Sequence, residues 1–251
     1  SYPFLCGMTG TAADATAEME TVYARPVVVV PTNRPVIRVA MPMRVFQTQQ
    51  EKWVAIAESI EQMYRAGRPV LAGTRSIAAS EHLGALLAQR GLPHRVLNAN
   101  FDKEEAGLIA HAGRGGSEAA ITVATNMAGR GTDIKLDEAA RAAGGLHVLL
   151  TEMHGAKRID RQFIGRAGRQ GDPGSSQIFV SMDDELVGLH TPRLRVLAAR
   201  SVASGGRELP AGAPVARLFR LAQSRSEGRD RRNRAAVLRQ DDWIEKNLPG
   251  S

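Results

Sequence analysis

A single cysteine, Cys6, stands among 251 residues, so an internal disulfide framework is excluded. On residue type Cys6 is expected to be a small buried hydrophobe, a usage that suits a reducing cytoplasm. No run of about 18 apolar residues and no signal peptide occur, so no segment is expected to cross a membrane unaided. Aromatic residues make up only 4% of the chain, too few for the stacking platforms that hold single-stranded nucleic acid. The six histidines (82, 94, 111, 147, 154 and 190) are scattered, and with one cysteine they offer no metal-ligand spacing. A phosphate loop is also missing: no G-x-x-x-x-G-K-[ST] string exists, nor even one Gly-Lys pair.

What is present has an ordinary globular composition, 43% hydrophobic and 24% charged, enough for one large domain or one domain with an appendage. The net charge of +7 is unevenly spread. Basic and acidic side chains balance over residues 1–192, while residues 193–239 hold twelve arginines, three acids and no lysine. Such a basic stripe fits nucleic acid, anionic lipid or an acidic partner, and equally the solvated side of a long helix.

Upstream of that stripe, short apolar runs alternate with helical periods. "VVVV" (27–30) reads as a strand closed by the breaker string "PTNRP" (31–35). "TQQE" (48–51) is a capping box, followed by Trp53, Ile56, Ile60 and Tyr64 on one helical face up to Gly67. Strands are expected at 69–73, 94–98, 119–125, 146–150 and 177–182, and helices at 76–91, 102–113 and 156–169. This alternation predicts an α/β fold, a parallel sheet with helices on both faces. Ligands of such sheets lie beyond the carboxyl ends of the strands. "NMAGRGTD" (126–133) and the segment entered through "TEMHGAKR" (151–158) both leave the sheet at that edge. Residues 191–214 read as a helix and a loop, and 215–247 as a continuous helix that must lean on the α/β body or on something absent.

Two strings carry the chemistry. In "DRQFIGRAGRQGD" (160–172), Arg166 and Arg169 are three apart, so a helix would project them from one face. Gly165 and Gly168 leave room for a ligand, and planar guanidinium forks match phosphate oxygens. Two forks suit a polyphosphate whose terminal group gains charge during transfer, a contribution of about 10³ to 10⁵ in rate, or roughly 4–7 kcal/mol. The plainer alternative is an arginine-rich helix tied down by Asp160 and Asp172. In "AGRGTD" (128–133), Arg130 stands between Gly129 and Gly131, followed by Thr132 and Asp133. Amides of such a loop can face an anion, and Asp133 can accept from ribose hydroxyls or hold an arginine. A tight turn capped by an aspartate explains that string equally well. The acids of "IFVSMDDE" (178–185) and "DEAA" (137–140) imitate magnesium ligands, but without a phosphate loop they read as decoys. His154 is expected in a structural hydrogen bond. The chain thus holds the arginine-supplying half of a nucleotide site and lacks the phosphate-cradling half.

Taken together, "GMTGTA" (7–12), "VVVPTNRPVIR" (28–38), "GRPVLAGTRSIAASE" (67–81), "VLNANF" (96–101), "ITVATNMAGRGTDIKL" (121–136), "AGGLHVLLTEMH" (143–154) and "RIDRQFIGRAGRQGDPGSS" (158–176) resemble SecA, the protein-translocating ATPase. The resemblance implies a second RecA-like motor domain over 1–190 and a variable helix and loop over 191–214. Over 215–251 it implies a C-terminal α-helical extension, the start of the scaffold helix. ATP and Mg²⁺ would be held mainly by an N-terminal motor domain outside this chain. Arg166 and Arg169 would be its arginine fingers, with Asp133, Arg130, Gly129, Gly131, Thr132 and Gln170 at the nucleotide. The partners implied are that motor domain, a membrane channel of the SecY type and an unfolded preprotein. Anionic lipid and a second copy of the full-length protein are further candidates, and nucleic acid is not expected. The implied location is cytoplasmic, peripheral on the inner face of the cytoplasmic membrane, and the chain alone is expected not to turn over ATP. Met153, Gly155, Ala156 and Arg161 depart from the family pattern, and Arg231 and Gln240 stand at scaffold positions that are normally aromatic, which points to a divergent or accessory member. Two rivals remain: the C-terminal half of a superfamily 2 RNA or DNA helicase, which shares Q-x-x-G-R-x-G-R, and a catalytically silent interaction module.

Overall fold

Val70 to Thr74 and Leu146 to Leu150 are buried along their whole length, as strands covered on both faces must be. They are two of the strands β1 (Val39–Ala40), β2 (Arg44–Phe46), β3 (Val70–Thr74), β4 (Arg95–Leu97), β5 (Ile121–Thr125), β6 (Leu146–Leu150), β7 (Gly174–Ser181) and β8 (Glu208–Leu209). The computed structural model describes residues 6–97, 111–125, 133–202, 208–209 and 214–247. Among these, one sheet runs in the order β4-β5-β3-β6-β7-β2-β8, with β1 alongside the first half of β7. Every pairing is parallel except that of β2 with β8.

The helices are α1 (Thr16–Tyr23), α2 (Gln49–Arg65), α3 (Ile77–Gln89), α4 (Glu138–Ala142), α5 (Lys157–Ile164), α6 (Glu185–His190), α7 (Pro192–Val202) and α8 (Pro214–Asn247). Alternate residues of each strand feed two cores. Val70, Ala72, Val123 and Leu149 meet Ile56, Ile60, Leu83 and Leu87 of α2 and α3. Leu71, Val148 and Leu150 meet Ala140 of α4 and Phe163 of α5 on the other face. A third cluster joins Val45, Val180 and Met182 to Val215, Leu218, Phe219 and Ala222, so the first turns of α8 lean on the α/β body. Among the described residues no helix is long and apolar enough to cross a membrane.

Local signals explain the boundaries. Thr48 and Glu51 close their capping box, and Gly67 ends that stretch at φ +71°. Asp184, one of the magnesium-mimicking acids, is buried against Lys52 and accepts from the Ser181 amide and hydroxyl. Asp137 caps α4 through the Ala140 amide and reaches the Gly115 amide. Both acids therefore have structural partners.

Two expectations fail outside the arginine turn. Residues 27–30 form no strand, and Val28, Val29 and Val30 are exposed. Their β-branched composition favours a strand only where a neighbour supplies the ladder. Cys6 is exposed, not buried. The helix expected at 102–113 lies almost wholly outside the described residues.

Candidate functional site

The connection from β6 to α5 and the turn after α5 build the carboxyl-edge site. Ala156 stands at the N-cap of α5 without a side-chain cap, and the helix stops at Gly165, whose amide bonds to the Arg161 carbonyl. Arg166 and Arg169 therefore do not share a helical face, which corrects the expectation of a helix to residue 169. Glycine is the reason: Gly168 takes φ +67°, and a short 3-10 turn, Arg169–Gly171, follows. A side chain at Gly168 would also strike the Arg38 Cβ at 2.7 Å.

The turn holds its two arginines differently. Arg166 is only 8% exposed, and its guanidinium carbon lies 5.4 Å from the Phe163 ring centroid. Phe163 sits so deep that a Cβ on Gly73 of β3 would lie 2.5 Å from its ring, which ties the arginine's platform to the middle of the sheet. Arg169 is half-exposed, donating from Nε to the Gly165 carbonyl at 3.1 Å and from Nη1 to Asp133 Oδ1 at 2.9 Å. The end of "NMAGRGTD" thus meets the arginine turn. Gln170, exposed, adopts φ +54°, a conformation that costs a non-glycine residue about 1 kcal/mol and must be held by its surroundings.

That hold comes from residues the motif reading missed. Arg38 donates to the Ala167 carbonyl at 2.8 Å and Arg34 to the Gln170 carbonyl at 3.2 Å. Burial lowers the Arg38 pKa from its ordinary value. Both belong to "VVVPTNRPVIR" (28–38), read from sequence as a chain breaker and a family string, with no role given to either arginine. Their separation of more than 120 positions from the turn left no local signal. The acids proposed to tie down the arginines bond elsewhere: Asp172 pairs with Arg141, and Asp160 accepts from the His154 amide and Nδ1. His154 has the structural bond expected of it. Arg161 pairs with Asp14 at 2.7 Å. Gly129, Arg130, Gly131 and Thr132 lie outside the described residues.

A model of the SecA P-loop domain matches residues 35–142 and 137–199. The chain is 47% identical over 239 residues to protein translocase subunit SecA 2 of Rhodopirellula baltica, covering 94% of this chain and 35% of that protein. The chain belongs to the SecA family. It is also 53% identical over 188 residues to SecA of Bacteroides fragilis, covering 75% of this chain and 17% of that protein. It spans about a third of the length of the SecA 2 relatives. Among solved structures it is similar to the E. coli DEAD-box protein SrmB, at 19% identity and TM-score 0.49, over 61% of this chain and 83% of that one. Its parallel sheet with helices on both faces, followed by a C-terminal helix, agrees with the α/β fold class expected from the sequence.

Proposed function

We propose that this chain is the second motor half of a SecA-type ATPase, which couples ATP binding and hydrolysis to protein translocation across the cytoplasmic membrane. The observation that carries the reading is the contact of Arg169 with Asp133 at 2.9 Å. It joins two of the strings by which the chain resembles the family, and this supports the reading.

In this reading ATP and Mg²⁺ are held mainly by an N-terminal motor domain with a phosphate loop, and this chain closes over them. The rim residues suit the nucleotide: guanidinium groups for phosphate oxygens, Asp133 for a ribose hydroxyl. Mg²⁺ goes with ATP to that other half, as the family resemblance implies. ATP supplies a terminal phosphate that gains charge as it departs. Arg166, set by Phe163 and the turn, stabilises that charge without reorganising. Arg169, paired with Asp133 and half-exposed, would reach phosphate oxygens from the same turn, and Asp133 would accept from a ribose hydroxyl. Gly129, Arg130, Gly131, Thr132 and Gln170 are the further residues that the family resemblance implies for the nucleotide. A SecY-type channel and an unfolded preprotein are the partners, met at the inner face of the membrane.

The test is steady-state ATP hydrolysis by the full-length protein. Arg166→Ala should lower turnover about 10³-fold, in line with a lost finger. Turnover equal to the parent protein would remove the finger role.

A further inference from the structure

The long helix does more than lie against the α/β body. Along α8, Val215, Leu218, Phe219, Ala222, Gln223 and Ser226 are buried, a stripe at helical spacing. Beyond Ser226 no described side chain of α8 is buried. The last polar members of the stripe all land on one place, the first turn of α5 and the loop before it.

Gln223 Nε2 donates to the His154 carbonyl at 2.9 Å and to Asp160 Oδ2 at 2.7 Å. The other oxygen of Asp160 accepts from the His154 amide at 3.0 Å and from His154 Nδ1 at 2.7 Å. All three residues are at most 6% exposed. One turn further along α8, Glu227 Oε1 accepts from the Lys157 amide at 2.6 Å. Ala156 cannot cap α5, so the cap of that helix is delivered by another helix. A carboxylate there also meets the positive end of the α5 dipole. Gly155 completes the fit, since a Cβ there would lie 2.8 Å from Ser226 Oγ.

We infer that Gln223 and Glu227 are positioning residues for Arg166 and Arg169. The long helix grips α5 by its amino end, α5 carries Phe163, and Phe163 carries the Arg166 guanidinium. Neither Gln223 nor Glu227 touches nucleotide in this account. A shift of α8 therefore reaches the arginines through two hydrogen-bonded turns rather than through general packing. The inference rests on the finger reading of the turn, and it adds the residues by which the helix regulates that site.

The test uses the full-length protein with Gln223→Met, which keeps length and apolar bulk but removes both donors. ATP turnover is measured per ADP-binding site, so unfolded molecules do not count, together with KM for ATP and amide exchange at 157–160. The expected result is kcat lowered about tenfold, KM within twofold of the parent, and faster exchange at Lys157 to Asp160. Unchanged kcat alongside faster exchange would overturn the inference, leaving a purely structural joint. Glu227→Ala, at the half-buried end of the joint, is read on the same scale with about a threefold fall in kcat, and it decides the matter if Gln223→Met does not fold. Arg166→Ala run in parallel separates the two ideas. If it turns over normally, the finger reading fails and the inference with it. If it is inert while Gln223→Met and Glu227→Ala behave like the parent, only the positioning role fails.

Discussion

Two stretches of this chain are rich in arginine, and they use it in opposite ways. In α5 Arg161 is paired with Asp14, and in the turn that follows Arg166 is packed over Phe163 and Arg169 is paired with Asp133. Two further arginines, Arg34 and Arg38, hold the carbonyls of the turn itself. Along α8, by contrast, Arg229, Arg231, Arg232 and Arg239 are exposed and enter no ion pair among the described residues. Arg234, paired with Glu18 at 2.6 Å, is the exception. Counting arginines would rank the helix first. What marks the turn is the backbone around its arginines: a glycine at φ +67°, a strained Gln170, and braces from a distant segment. Charge that is fixed in place can stabilise a developing negative charge, whereas charge on a solvated helix is screened and mobile.

The sharpest way to break this contrast is to keep the charge and change its shape. Arg166→Lys in the full-length protein should lower ATP turnover about 10³-fold, because an ammonium cannot reproduce the stacked fork. Arg232→Lys should leave turnover unchanged. Equal effects at the two sites would erase the distinction.

A second prediction separates arginine charge, constant over the working range of pH, from a group that titrates at the other end of the sheet. His147 is fully buried, with Nδ1 2.8 Å from Ser175 Oγ, and Arg68 donates to the same hydroxyl. Burial, and then the charge of Arg68, lower its pKa from 6.5 to about 4. The folded state therefore resists a proton that the unfolded state accepts. Its contribution is complete above pH 6.5 and is lost as the pH falls from there toward 4, an effect of about 3 kcal/mol. Urea unfolding across that range should show the loss, and His147→Gln should flatten it. A slope unchanged in His147→Gln would contradict the assignment.

Smaller is the effect expected at Gly73, which links the turn to the sheet. Gly73→Ala would press a methyl against Phe163 and Leu150, destabilising the chain by about 2 kcal/mol in urea unfolding. No change there would mean that Phe163 is free to move and does not fix Arg166. Smallest of all, Arg229→Gln together with Arg232→Gln should shift stability by less than about 0.5 kcal/mol. A larger loss would show that the helix arginines carry packing after all.

Much of the fold was legible because buried parallel strands such as Val70 to Thr74 and Leu146 to Leu150 read as apolar runs, and because Thr48 and Glu51 announce a helix start. The run at 27–30 reads the same way yet forms no strand, since strand formation depends on a neighbouring ladder that sequence does not reveal. The arginine turn was legible in its residues but not in its shape. Helical spacing suggested one face for Arg166 and Arg169, but the helix ends at Ile164, before both, and Gly168 at φ +67° turns the backbone between them. The braces from Arg34 and Arg38 and the joint from Gln223 to Asp160 were invisible, because hydrogen bonds across more than 60 positions leave no periodic signature.

The central claim is that the turn stabilises a departing phosphate rather than merely binding nucleotide. The most direct measurement compares the affinity of the full-length protein for ADP with that for ADP plus aluminium fluoride, a mimic of the phosphate in transfer. Arg166→Ala should weaken the aluminium fluoride complex at least a hundredfold and change ADP affinity less than twofold. Equal weakening of both, or of neither, would contradict it.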